Sequence, residues 1–285
     1  DRVGGSTASS LILARALKDI GHKIHILVHG GEGQVAKEAS AFGLPVTNLP
    51  AFTAVPGYSR PDRFHFEQIR AFPASCAAIR ELGLDIVHTN DIAMLRGWSV
   101  PCFATSTALV AHWRSNFRES WSVKTSLRVV RTVIAVSRYS FEKLPGWAQA
   151  ITGVEYNAFD LHISAHEARN ARADMRAMLG LPADAALIGV FGNHINRKRT
   201  HVLADLVAAI PRTGDGRPVY GLACGAHAEP YDHLLDEKIE AFGLQQRLIR
   251  PGFMRPVEKW MAACDVVIAP AVDEPLARNV LEALA

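Results

Sequence analysis

Short apolar runs alternate along the chain with longer stretches whose apolar positions recur at helical spacing. Leu11, Ile12, Ala14, Leu17 and Ile20 predict a helix closed by Gly21, and KIHILV (Lys23 to Val28) a strand. A helix over Gln34 to Phe42 and a strand over Pro45 to Leu49 follow, then a loop over 50–60 and a long helical segment to Leu82 that Pro73 should kink or split. Further strands are predicted at Asp85 to His88, Ala108 to His112, Thr132 to Val136 and Ile151 to Tyr156. Between them lie helices at Ile92 to Phe103, interrupted by Pro101, at Trp121 to Val130, and a short one capped by Ser137.

A polar helix, His166 to Leu179, leads into a second series. Its strands are Ala186 to Phe191, Val219 to Cys224, Arg247 to Arg250 and Asp265 to Ala269; its helices are Arg199 to Ile210, Tyr231 to Phe242, Val257 to Cys264 and one from Arg278 onward. Strands that are apolar throughout and alternate with helices imply parallel sheets covered on both faces. The fold class is therefore α/β, with two Rossmann-like domains expected at 1–156 and 157–285. The Gly-rich turn at Gly4-Gly5 has no strand before it, and an apolar helix pattern runs to Ala285, so the first strand and the C-terminal elements are expected to be missing.

With 285 residues, 49% hydrophobic and 21% charged, the chain can build a sizeable core. A net charge of +3 does not suggest a nucleic-acid partner. Cys76, Cys102, Cys224 and Cys264 are scattered without a C-x-x-C pair, which argues against disulfides and structural zinc and for a reduced, cytoplasmic setting. Arg114, Arg118, Lys124, Arg128 and Arg131 with Trp113 and Trp121 form a basic, aromatic flank. Such a flank is either a solvated helix face or a surface for anionic lipid headgroups at the inner face of the membrane.

Three stretches carry candidate chemistry. Pro251 to Ala285 reads as helix, strand, a Pro- and acid-containing loop, then a helix opening at Arg278, with Glu274 and Glu282 bracketing the turn. Carboxylates accept hydrogen bonds from hydroxyls, and a helix start favours anions, so the combination fits a ligand with sugar hydroxyls and phosphate. Gly192 to Arg199 (GNHINRKR) follows a strand, and its consecutive cations are suited to a diphosphate or, equally, to a solvated basic turn. Gly4, Gly5 and Ser6 open the first helix, as a phosphate-approaching loop or a plain turn. Gly252 in RPGF follows a strand end. His112 ends a strand, His88 and Asn90 lie in DIVHTND, and Asn157 follows ITGVEY. His162 and His166 have i, i+4 spacing without an accompanying metal-ligand motif, and no Asp-x-Asp occurs.

Glu274-Pro275, Arg278 and Glu282-Ala283 resemble the E-P-x-G-R-x-x-x-E-A signature of retaining GT-B glycosyltransferases of family four, with Ala277 in place of the usual Gly. Lys198 stands on the lysine of the family's G-R-x-x-x-x-K segment, Asn193 where it usually has arginine, and Arg197 is positioned to substitute. The resemblance spans nearly the whole chain. It implies a GT-B fold with an interdomain cleft, and transfer of a sugar from a nucleotide-diphosphate donor to an acceptor hydroxyl with retention, without a metal or other cofactor. Lys198, aided by Arg197, would hold the leaving diphosphate, which the family is thought to use as the base. Glu282 would take ribose hydroxyls, and Glu274 with Leu276, Ala277 and Arg278 the donor sugar. Gly252 would meet the nucleotide base, and Gly4, Gly5 and His112 would face the donor from the first domain. Asn157 matches an interdomain Asn-Gly turn. Asn193 and Ala277 also keep open a non-catalytic, nucleotide-sugar-binding homologue.

Overall fold

The computed structural model describes residues 5–31, 33–51, 61–114, 120–158, 163–227 and 231–285, with 61–66 as backbone alone. The chain separates into two compact units, Asp1–Phe159 and Asp160–Ala285.

In the first unit the order is α1 (Gly5–Asp19), β1 (Ile26–His29), α2 (Gln34–Ala41), β2 (Val46–Leu49), α3 (Pro61–Glu81), β3 (Ile86–Thr89), α4 (Ile92–Thr105), β4 (Ala108–Trp113), α5 (Trp121–Leu127), β5 (Thr132–Ala135), α6 (Arg138–Glu142), α7 (Gly146–Gln149) and β6 (Thr152–Val154). All pairings are parallel, in a two-stranded sheet β1-β2 and a four-stranded sheet β3-β4-β5-β6. Leu95, Trp98, Leu109, Trp113, Leu127 and Val133 centre the larger core, while Leu11, Ala39 and Leu44 close a smaller one over β1-β2.

Two prolines behave differently from expectation. Pro73 does not split α3, which runs unbroken to Glu81. It lies on the water-facing side, and Ile69, whose carbonyl it leaves without a donor, is 72% exposed, so solvent satisfies that oxygen. Pro101 likewise stays inside α4. Gly97 stands at i−4 and leaves that turn free to tilt its carbonyl away from the ring. Side-chain caps start the neighbouring helices: Met94 N–H donates to Asp91 Oδ1, Val123 N–H to Ser120 Oγ, and Ser140 N–H to Ser137 Oγ.

The second unit runs α8 (Ala165–Met178), β7 (Ala186–Phe191), a 3-10 turn (Asn196–Lys198), α9 (Val202–Ala209), β8 (Val219–Cys224), α10 (Tyr231–Ala241), β9 (Leu248–Gly252), α11 (Val257–Ala263), β10 (Val266–Ile268) and α12 (Arg278–Leu284). Its parallel sheet has the order β10-β7-β8-β9. Leu203, Val207, Leu235 and Leu244 cover one face, and Leu187, Leu222, Trp260 and Met261 belong to a second cluster.

The polar helix α8 is held by arginines as well as by the packing of Ala171 and Met175. Arg172 donates to the carbonyls of Ala262, Ala263 and Cys264, which α11 leaves open at its C-terminus, and to Asp265 Oδ1 at 2.6 Å. Asp265 Oδ2 then accepts from Leu187 N–H, tying the start of β10 to β7. β10 and β7 are thereby joined at their N-terminal ends, leaving their C-terminal ends to carry the loops of interest.

Candidate functional site

The loops at the C-terminal ends of β7, β8 and β9 are laced together by backbone. Gly192 N–H donates to Cys224 O, His194 N–H to Ala226 O, and Gly225 N–H to Gly252 O. Gly192 adopts φ 141°, and a Cβ on Gly225 would lie 1.9 Å from Gly192 O, so this approach is open to glycine alone. Gly252 is the last residue of β9, at φ 85°, rather than a residue of the loop after it.

Beyond Gly192, the chain makes the 3-10 turn that ends at Arg199, in the left-handed region at φ 50°. The expected helix from Arg199 therefore begins only at Val202. Arg197 Nη1 and Lys198 Nζ both donate to Glu274 Oε2, at 2.6 and 2.8 Å. Two of the three consecutive cations thus converge on the acid that the sequence singled out, and the exposed Arg199 does not join them. Val272 N–H donates to Arg197 O, stapling the two loops, and Asp273 at φ 52° turns the chain between them.

From there Leu276 and Ala277 lead into α12, with Ala277 as its N-cap and without a side-chain cap. Arg278 Nε donates to Glu282 Oε1 at 2.5 Å, one turn along the helix. Asn279, which sequence reasoning did not mark, donates to Phe191 O at 3.0 Å and so fixes α12 against the end of β7. The structure therefore brings Arg197, Lys198 and Glu274 into contact, with Arg278 and Glu282 paired next along the chain. Asn193 is exposed at the head of the loop.

Behind this loop lies a second polar group that the sequence did not reveal. Asp232, 3% exposed, accepts from His194 Nδ1 at 2.8 Å, and its other oxygen lies 3.1 Å from His227 Nδ1. Arg250 Nη2 reaches the same carboxylate at 3.4 Å, and Arg250 also pairs with Asp236. The atoms of His194, His227 and Asp232 lie within 4.8 Å of one another, a spacing that suits a metal ion. Arg250 already supplies the positive charge at that carboxylate, and the group reads as a clamp that anchors His194 and its loop to α10.

In the first unit, β3 and β4 run in register with His88 opposite Val110, which puts His112 two residues farther along the same face. His88 Nε2 lies 3.3 Å from His112 Nδ1, with the rings stacked at 5.3 Å. Arg114 Nη2 donates to the same Nδ1 at 3.1 Å, and Arg114 Nη1 donates to Asn157 Oδ1. A guanidinium can only donate, so His112 Nδ1 carries the lone pair and its proton sits on Nε2. That Nε2 is buried and has no hydrogen-bond partner. Burial, and then the Arg114 charge, push His112 down to about 3 and His88 to about 4, so both rings are neutral. As a neutral ring with its proton on Nε2, His112 can offer a hydrogen bond there. Asn90, read as lining, is half-buried. Gly5 begins α1, while Gly4, Arg118 and His162 lie outside the described residues.

Comparison with known proteins follows the same division. Residues 3–149 match Glycosyltransferase Family 4, and residues 185–285 match Glycosyl transferases group 1. The chain belongs to glycosyltransferase family 4. A curated relative, the lipopolysaccharide core biosynthesis mannosyltransferase LpsB of Rhizobium meliloti (strain 1021), is 29% identical over 116 residues, which is 40% of this chain and 33% of that protein. Among solved structures, Anabaena HepE in complex with UDP-glucose superposes with a TM-score of 0.79 at 23% identity, over 99% of this chain and 75% of that one. Sucrose-phosphate synthase from Thermosynechococcus elongatus gives 0.74 at 18%, over 99% and 74%. The fold is thus the GT-B type of this glycosyltransferase family, with two Rossmann-like units of parallel sheet.

Proposed function

We propose that this chain is the body of a retaining glycosyltransferase that moves a sugar from a nucleotide-diphosphate donor to an acceptor hydroxyl, without a metal ion. The observation that carries the reading is the convergence of Arg197 and Lys198 on Glu274, in the loops at the C-terminal ends of a parallel sheet. The two cations would take the leaving diphosphate as its charge develops, and they need no metal for that task. Glu274, with Leu276 and Ala277 beside it, would accept from sugar hydroxyls. Glu282, oriented by Arg278, would accept from ribose hydroxyls. Gly252 would meet the base, and Gly5 and His112 Nε2 would serve from the first unit. Membership of the family supports this assignment, as does the nucleotide sugar bound to HepE.

Peripheral attachment to the inner face of a membrane is part of the same proposal. No helix among the described residues is long and apolar enough to cross a bilayer. Trp121 is 81% exposed at the start of α5, and Arg128 stacks over Trp147 at 5.2 Å, so aromatic and basic groups occur together in the first unit.

The test is release of nucleoside diphosphate from a panel of nucleotide sugars by the full-length protein, with the anomeric configuration of any product read by NMR. Lys198→Ala is expected to cut turnover by about a hundredfold or more while the thermal unfolding midpoint stays put. Unchanged turnover removes the diphosphate assignment. Tight donor binding without turnover, after an acceptor screen, would favour the binding homologue that Asn193 and Ala277 suggest.

A further inference from the structure

In the proposed donor site, both cations meant for the diphosphate are already engaged. Arg197 and Lys198 meet on a single oxygen, Oε2, of Glu274, and no hydrogen bond reaches Oε1 among the described residues. Two positive charges on one carboxylate leave a surplus that draws a further anion. The Arg197 side chain is 39% exposed and that of Lys198 21%, so the pair can be reached from water and is open to exchange with a solute anion.

What holds Glu274 in position is backbone: Val272 N–H on Arg197 O, and the left-handed turn at Asp273. The carboxylate can therefore lose its cations without losing its place. A diphosphate offers the guanidinium a bidentate partner and more negative charge than one carboxylate can, so exchange favours the ligand.

We propose that Glu274 is an internal stand-in for the donor's diphosphate. It holds Arg197 and Lys198 in order until a diphosphate takes them over, and only then is it free to accept from the sugar hydroxyls. This deepens the donor reading above and rests on it. Glu274 thereby becomes a specificity residue with two faces. A complete donor repays the displaced carboxylate with hydroxyl groups, whereas a bare nucleoside diphosphate leaves it stranded beside the phosphates. The site discriminates against its own leaving group, and the product departs as Glu274 recaptures the cations.

The experiment is calorimetric titration of the full-length protein with inorganic pyrophosphate at low ionic strength, with thermal unfolding as the check on folding. Glu274→Gln keeps the shape and removes the competing charge, and it should bind pyrophosphate about tenfold or more tightly than the wild type. Asp273→Asn removes the same charge one residue away and should change affinity by no more than about twofold. Adding Lys198→Met to Glu274→Gln should abolish the gain. If the wild type binds pyrophosphate and Glu274→Gln binds it no better, or if Asp273→Asn gives the same gain, the exchange falls while the donor site stands. If none of the folded proteins binds pyrophosphate, the exchange and the diphosphate assignment fall together.

Discussion

The two units place polar groups beside an arginine in opposite ways. In the second unit charge is kept and answered by charge: Glu274 by two cations, and Asp232 by Arg250 and the two imidazoles about it. In the first unit Arg114 donates to a neutral imidazole and to the amide of Asn157, and burial first, with the Arg114 charge second, suppresses charge on the rings instead of balancing it. An answered charge is robust until one partner goes. A suppressed charge is robust until the pH drops. Each unit should therefore break by its own route.

The largest effect is expected from Asp232→Ala. Asp232 is 3% exposed, and its removal leaves buried His194 without its acceptor for Nδ1 and takes from Arg250 one of its two carboxylates, the other being Asp236. Breaking a buried pair from one side costs roughly 3–5 kcal/mol. A urea titration followed by the fluorescence of Trp260, which lies in the second unit, should show the loss there. A loss below about 1 kcal/mol would mean that the clamp does not hold His194. Among the described residues of the first unit, no buried carboxylate offers an equivalent cut.

The same contrast decides what could be read from the chain alone. Val219 to Cys224 and Ala186 to Phe191 keep the bounds that the sequence implies, because strands buried on both faces are apolar throughout and need no phase. Shorter strands such as β10 lose their ends, and Pro73 misleads because only the fold shows that it faces water. The donor loops were legible because each is one contiguous stretch, Gly192 to Arg199 and Glu274 to Glu282. Their pairing with each other, through Arg197 and Lys198 on Glu274, was not, since it spans more than 70 residues and depends on β7 and β10 lying side by side. Nothing local marks Asp232 and Arg250, which lie in a predicted helix and at a predicted strand end. His88 and His112 were both noticed, yet their contact follows from the β3–β4 register, which no local pattern encodes.

A smaller effect should follow acidification. Burial first, and the Arg114 charge second, hold His112 at about 3 and His88 at about 4, below the 6.5 of an unfolded chain. As pH falls below 6.5, the unfolded chain takes up protons that the folded rings refuse, so the stability present above pH 6.5 is lost progressively toward pH 4. The slope is at most about 1.4 kcal/mol per pH unit for each ring. His194 contributes with the same sign from the second unit, its pKa being lowered chiefly by burial. The double variant His88→Gln, His112→Gln should therefore flatten the pH dependence of the urea midpoint between pH 6.5 and 4 without removing it. An unchanged slope would mean that the rings are charged in the folded protein.

The smallest expected effect is also the most specific. Arg114→Met keeps the bulk of the side chain but removes the one group that can only donate to His112 Nδ1. The cost in stability should be about 1–2 kcal/mol, since the hydrogen bonds to His112 Nδ1 and to Asn157 Oδ1 are both exchanged for apolar contact. The tautomer, however, should change. In the wild type, nitrogen-15 NMR of labelled histidine should show His112 with an unprotonated Nδ1 and a protonated Nε2. In the variant, Nδ1 keeps only His88 Nε2, which can donate or accept, so the ring should populate both tautomers, with its pKa moving up toward the ordinary value because a neighbouring charge has gone. A wild-type ring protonated at Nδ1, or a variant whose tautomer does not move, would show that Arg114 does not orient His112. Any donor-hydrogen-bonding role for Nε2 would then lose its physical basis, because only a proton held there by the occupied Nδ1 can be offered to a ligand oxygen.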